Sequence, residues 1–410
     1  MMAVSSMQDN SERGGIMNEY KRASEILYKG ESVRGMDLKK PETLPIFETT
    51  AFTMNSLSEL AEVTEEKGWT YSRTRNPNRA ALAEAISYLE GGEASLIFAS
   101  GMGAITLTLV TILKPGDRVL CNANIYGETF STLRDILSKM GVETDFVDYL
   151  DMDAVKAAVK PETKVIYSEV VSNPTVKIAD IPALAELAHA NEAYLMVDNT
   201  FTTPFAIRPM DFGADIVINS LTKFLNGHAD AMGGSVTTTE ALVDKIRPMS
   251  MLMGTPGDAF SSWLILRGLK TAELRIPRQI RTAEKLAQFF AQSPMISAVN
   301  HPSLATGSQK ELADRLFGEN GSTPMLSFVL PEDIEKIDAF MKALRFTRYA
   351  PTLGGLRTTM SHPVTSSHFS MPDEERRKIG ITPGMIRLSV GLEDPDDLIA
   401  DFSNAMKVFE

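Results

Sequence analysis

The stretch Asp215-Ile216-Val217-Ile218-Asn219-Ser220-Leu221-Thr222-Lys223 decides the reading of this chain. Its first half is a short β-branched run, the composition of a strand buried on both faces. Its second half places two hydroxyls at alternate positions and then a lysine, where the chain leaves that strand. An ammonium there is partly desolvated and its pKa is lowered. Such a lysine can form a Schiff base with an aldehyde cofactor. The competing reading is a lysine that snorkels to solvent.

The same texture repeats on the N-terminal side. Ser95–Ala99, Arg118–Cys121, Lys164–Val171 and Ala193–Val197 are further strand candidates. Helices are expected over Arg79–Leu89, from Gly101 through Leu113, over Thr129–Met140 and over Ile181–Ala190, with stops at Gly91-Gly92 and Gly141 and with Pro182 in a first turn. Short apolar strands alternating with helices predict an α/β fold, a mainly parallel central sheet covered by helices. Near Leu266–Thr271 the repetition stops. A long amphipathic helix over Arg278–Gln292 and a mixed segment to residue 410 then predict a smaller α+β C-terminal domain. The expected organisation is an N-terminal arm over 1–75, a main domain over 76–274 and the C-terminal domain over 275–410. Residues 1–19 read as a leader, with Met17 an alternative start.

Composition narrows the function classes. The chain has 410 residues, 43% hydrophobic and 23% charged, with 41 basic and 53 acidic side chains and a net charge of -12. That length predicts two or three domains, and the charge disfavours nucleic acid or an anionic membrane surface as partner. One cysteine, Cys121, excludes an intrachain disulfide and a Cys-based zinc site. His189, His228, His301, His362 and His368 lack ligand spacing, so no metal is expected. Ala94–Leu113 has no charged residue, but Ser100-Gly101-Met102-Gly103 interrupts it, which predicts strand, turn and buried helix rather than a membrane span. Without an apolar signal-peptide core in Met1–Tyr20, a cytoplasmic, soluble protein is expected.

In open α/β sheets ligands bind outside the carboxyl ends of the strands. The expected strands end into Ser100-Gly101-Met102-Gly103, into Asn122 and then Tyr126, into Asn173-Pro174, into Asp198-Asn199-Thr200 and into Ser220-Leu221-Thr222-Lys223. The first is an anion site in type, with glycines before a helix N-terminus; it fits neither the Walker loop nor the dinucleotide fingerprint. Asp198 supplies the carboxylate that a pyridinium nitrogen requires, or it is a turn cap.

These residues resemble the pyridoxal-phosphate enzymes of cysteine and methionine metabolism, the trans-sulfuration family. The resemblance rests on Tyr71-Ser72-Arg73-Thr74-Arg75-Asn76-Pro77, Ala99-Ser100-Gly101-Met102-Gly103, Asn124-Ile125-Tyr126-Gly127, Val197-Asp198-Asn199-Thr200-Phe201, Asn219–His228 and Ile386–Asp394. It implies the fold type I, PLP-dependent transferase-like architecture, with residues 76–274 binding pyridoxal 5'-phosphate. It implies that Lys223 holds the cofactor covalently and shuttles protons. Gly101, Met102, Ser220 and Thr222 would hold the phosphate, completed by Tyr71 and Arg73 from the arm of a neighbouring subunit in a dimer of active dimers. Tyr126 would stack on the ring and act as acid–base group, Asn173 would support the ring, Asp198 would pair with its nitrogen and Arg387 would grip the substrate carboxylate. The implied reaction is γ-elimination from a γ-substituted L-amino acid, methionine or homocysteine-like, to a 2-oxo acid and ammonia. A γ-replacement synthase using an activated homoserine ester is the alternative.

The chain departs from the family at two places. Relatives acting on methionine carry cysteine after the Tyr-Gly pair, where this chain has Glu128. An acidic residue there favours a substrate with a cationic, non-sulfur leaving group, unless it turns outward or pairs with an arginine. In Ala350–Thr358, Thr352 replaces a serine that helps seat the substrate, Arg357 replaces a glutamate, and Pro351 stands where cystathionine γ-lyases carry a glutamate.

Overall fold

Short runs of Val, Ile and Leu become strands here because successive side chains serve opposite faces of one sheet. In the computed structural model, which describes residues 21–31, 41–65, 67–369 and 371–410, β1 (Ala94–Phe98), β2 (Arg118–Asn122), β3 (Glu143–Val147), β4 (Thr163–Glu169), β5 (Tyr194–Asp198), β6 (Ile216–Asn219) and β7 (Gly234–Thr238) form a seven-stranded sheet. Its order is β1-β7-β6-β5-β4-β2-β3. Only β7 runs antiparallel to its neighbours. Leu195 and Val197 of β5 join Ile166 and Val217 in one core, while Met196 joins Tyr167 and Ile218 in the core on the opposite face. The expected leader and the choice between Met1 and Met17 lie outside the described residues.

The covering helices start and stop on local chemistry. α1 (Pro77–Glu90) begins with proline in its first turn under an Asn76 cap and ends at Gly91 with φ +76°. α2 (Gly101–Ile112) is capped by Ser100, whose Oγ accepts the Gly103 N–H at 3.0 Å. The uncharged stretch Ala94–Leu113 is therefore strand, turn and helix, and no described helix is long and apolar enough to cross a membrane. The expected single helix over Thr129–Met140 is instead α3 (Gly127–Ser131), a π-helical turn over Thr132–Leu137 and a 3-10 turn closed by Gly141. Thr129, Ser131 and Thr132 are weak helix formers, so tertiary packing sets the winding there. α4 (Ile181–Ala190) has its expected bounds, with Asp180 as cap.

Two strands escape the apolar-run rule. β3 is a sheet-edge strand with a polar pattern. β7, Gly-Ser-Val-Thr-Thr, is buried throughout, and both of its threonine hydroxyls are satisfied: Ser95 and Thr237 share a hydrogen bond at 2.8 Å, and the Thr238 hydroxyl donates to the Asp215 carbonyl at 2.7 Å.

The long helix is α5 (Ala272–Ala291). Ile276 and Ile280 enter the first core, and Ala283, Leu286 and Phe290 enter another, where Phe290 stacks on Phe328 with centroids 4.1 Å apart. That other core backs a five-stranded sheet of β8 (Ala298–Asn300), β9 (Met325–Val329), β10 (Arg348–Tyr349), β11 (Thr359–Ser361) and β12 (Met385–Ser389), ordered β10-β11-β12-β9-β8. The N-terminal helix Arg22–Tyr28 docks on the same chain: Arg22 pairs with Glu273 at 2.9 Å, and the Lys270 ammonium donates to the carbonyls of Ile26, Leu27 and Lys29.

Candidate active site

The carboxyl ends of β1, β2, β4, β5 and β6 converge on a cavity of about 470 Å³. Ser100, Gly101, Met102, Tyr126, Glu128, Asn173, Asp198, Ser220, Thr222, Lys223, Thr352 and Arg387 all line it. The residues picked from separate strand ends therefore meet in one place.

The anion end is built by close approach. A Cβ on Gly101 would stand 2.9 Å from the Ser220 Cβ, so glycine lets the N-terminus of α2 abut the turn after β6. The Thr222 hydroxyl accepts the Gly233 N–H at 3.0 Å, and the Ser220 N–H donates to the Thr200 hydroxyl at 2.8 Å. Lys223 sits in the same turn. Burial, then the nearby Arg387 charge, lower its pKa, while Glu128 opposes them.

The opposite end carries carboxylates. Asp198 accepts the Thr200 N–H at 2.9 Å, and desolvation raises its pKa against the contacts with Thr200. Glu169, missed in the sequence reading, is buried beside it: the two are register partners on β4 and β5. Glu169 accepts the Tyr126 N–H at 2.8 Å, and burial followed by the Asp198 charge pushes its pKa well up. A charged residue closing an apolar strand was the available signal.

Arg387 on β12 is buried and donates to Asn173 Oδ1 at 2.8 Å. Burial lowers its pKa to about 10, against Tyr126 and Glu169. Asn173 thus orients the guanidinium. Burial, followed by the hydrogen bond to Glu128, raises the Tyr126 phenol well above its ordinary value. Ser366 and Ser367 also line the cavity and had no signal in the sequence; a Cβ on Gly127 would stand 2.4 Å from the Ser367 carbonyl. Arg357 is exposed and does not line the cavity, and no ion pair joins it to Glu128.

Tyr71 and Arg73 stand apart. Tyr71 is 44% exposed, the Arg73 guanidinium lies over its ring, and Arg73 donates to the Met251 carbonyl at 2.9 Å. Neither lines the cavity.

A profile of the Cys/Met metabolism PLP-dependent enzymes matches residues 31–407. The chain belongs to this family. It is similar to the L-methionine gamma-lyase of Pseudomonas putida, 41% identical over 88% of this chain and 92% of that protein. It is likewise similar to the cystathionine beta-lyase of Bacillus subtilis, 40% identical over 89% and 91%. The solved cystathionine gamma-lyase from Lactobacillus plantarum, complexed with L-serine, superposes with a TM-score of 0.88 at 32% identity, covering 95% of this chain and 99% of that one.

As a member of this family the protein is a PLP-dependent enzyme with pyridoxal phosphate as cofactor. The cavity suits it. Asp198, a half-buried carboxylate with no ion-pair partner among the described residues, matches a protonated pyridine nitrogen, and the glycine-permitted junction of α2 with the Ser220 turn matches a phosphate. A desolvated lysine stands on that same turn.

Proposed function

We propose that this enzyme is a γ-lyase that cleaves a γ-substituted L-amino acid, methionine or homocysteine-like, to a 2-oxo acid, ammonia and the released group. Support comes from one observation above the others: Lys223, Tyr126 and Arg387 line a single cavity with Asp198 and the α2 N-terminus. Similarity to L-methionine gamma-lyases at 36–41% identity points the same way.

In this reading Lys223, Gly101, Met102, Ser220, Thr222 and Asp198 hold the cofactor. Bound pyridoxal phosphate supplies an electron sink that acidifies the Cα and then the Cβ proton of the amino acid. Arg387, aimed by Asn173, binds the substrate carboxylate bidentately. Lys223, with its lowered pKa, accepts the Cα proton. Tyr126 keeps its phenolic proton at neutral pH and delivers it to the departing γ-group. Thr352 and the loop around it seat the substrate. Tyr71 and Arg73 complete the phosphate site of a neighbouring copy, which accounts for their distance from their own cavity; the working unit is then a homo-oligomer, a dimer of active dimers. The lone, buried Cys121 suits a reducing cytoplasm.

A second reading of the substrate rests on Glu128. It lines the cavity, bonds Tyr126 and has no ion-pair partner among the described residues. A carboxylate beside the departing group favours a cationic, non-sulfur leaving group.

The test is a panel of γ-substituted amino acids, sulfur-containing and cationic, assayed for 2-oxo acid and ammonia with and without added thiol. Release without thiol is expected. Product only with thiol assigns γ-replacement instead, and no product from any substrate ends the lyase reading.

A further inference from the structure

Behind the cavity lies a buried carboxylate that the proposed chemistry does not use. Glu90 is the last residue of α1 and has no exposed surface. One of its oxygens accepts side-chain N–H bonds from Asn199 at 3.0 Å and from Asn219 at 2.6 Å; the other lies 3.3 Å from Asn199. Both asparagines are fully buried. Asn199 has further partners in the Ile207 carbonyl and the Thr202 hydroxyl. The Asn219 side-chain oxygen, Oδ1, has none, so Glu90 is the only partner of the Asn219 side chain among the described residues.

The position of these two asparagines in the chain gives the contact its meaning. Asn199 directly follows Asp198 at the end of β5, and Asn219 directly precedes Ser220 at the end of β6. Asp198 and Ser220 line the cavity; Asn199 and Asn219 do not. On the cavity side the Ser220 N–H already donates to Thr200. Glu90 makes the matching link on the far side, so the two strand ends are pinned front and back. Burying a carboxylate is costly: desolvation pushes Glu90 up to about 7 despite the bonds from Asn219 and Asn199. A leucine would fill the same space without that penalty, which argues for a geometric role.

We propose that Glu90 is a positioning residue for the cofactor site: held between Asn199 and Asn219, its carboxylate fixes the spacing of Asp198 from the Ser220–Lys223 turn. The proposal rests on reading Asp198 and that turn as the cofactor-holding residues. An error in their spacing would weaken the Asp198 contact and the phosphate contacts together.

The holoenzyme tests this through release of pyridoxal phosphate on dialysis and through the pH titration of its visible band. Glu90→Met removes both acceptors and is expected to weaken cofactor retention roughly tenfold or more and to move the titration midpoint. Glu90→Gln is expected to recover most of both, because its amide oxygen still accepts from Asn199 and its amide N–H can donate to the free Asn219 oxygen. Asn219→Ala, losing one bond, should fall between them and decides the matter if Glu90→Met does not fold. Folded Glu90→Met or Asn219→Ala protein with unchanged retention and an unchanged titration overturns the proposal. Asp198→Ala is measured alongside: if it too retains cofactor normally, the error lies in the assignment of the site rather than in Glu90.

Discussion

At the scale of single residues, the cavity works by refusing water to groups that prefer it. Tyr126 is the clearest case: burial and the hydrogen bond to Glu128 both favour the phenol over the phenolate. In the proposed reaction a general acid that keeps its proton matters most for a poor leaving group. Tyr126→Phe is therefore expected to lower kcat about 10²–10⁴-fold with methionine, and far less with a γ-substituent that leaves without protonation. Steady-state kinetics with the two substrates check this; an equal loss with both would mean that Tyr126 only positions the substrate. Lys223 and Asp198 were legible from the sequence because the first follows a buried strand and the second closes one. Glu169 closes β4 in the same way but fell inside the longer strand expected over Lys164–Val171, and Asn173, read as a ring support, is the hydrogen-bond partner of Arg387.

At the scale of elements, function depends on how closely two backbones meet. Gly354 adopts φ +84°, and a Cβ there would stand 2.5 Å from the Phe224 amide nitrogen and 2.8 Å from the Lys223 Cα. Its own N–H donates to Ser389 on β12 at 2.8 Å. This loop, which carries Thr352, is thus clamped between the strand of Arg387 and the backbone of Lys223. Gly354→Ala adds left-handed strain of about 1–3 kcal/mol and a backbone clash. Reduced affinity for substrate and slower turnover are expected, read as a rise in KM and a fall in kcat, with a lower Tm. Wild-type kinetics for this variant would show that the clamp is dispensable. Apolar periodicity marked the strands buried on both faces and α4. It could not mark β7, whose threonine hydroxyls find their partners in Ser95 of β1 and in the Asp215 carbonyl.

At the scale of the whole molecule, the C-terminal sheet is joined to the large one partly through His301 and Thr323. His301 is buried; its Nε2–H donates to the Thr323 carbonyl at 3.1 Å and its Nδ1 accepts the Ser303 N–H at 3.1 Å, while the Thr323 hydroxyl donates to the Phe201 carbonyl beside the cavity. Burial holds His301 neutral, with its pKa lowered to about 4, and burial does the same for His368. A depressed histidine stabilises the fold above its unfolded pKa, near 6.5, and that contribution is lost as pH falls toward 4. For His301 the loss amounts to roughly 3 kcal/mol. Stability should therefore decline between pH 6.5 and 4, and His301→Gln should flatten that slope, measured by thermal unfolding across the range; an unchanged slope would place the acid lability elsewhere. The α/β class and the strand ends proposed to carry the chemistry can be read from the sequence, because buried strands and the turns after them depend on local composition, and the motifs at those ends carry the resemblance to the family. Which of those ends face one cavity, that Arg357 lies outside it and that Glu90 reaches Asn199 and Asn219 emerge from the folded chain alone. Those contacts join residues far apart in the chain, and local composition holds no record of how the strands are ordered in the sheet.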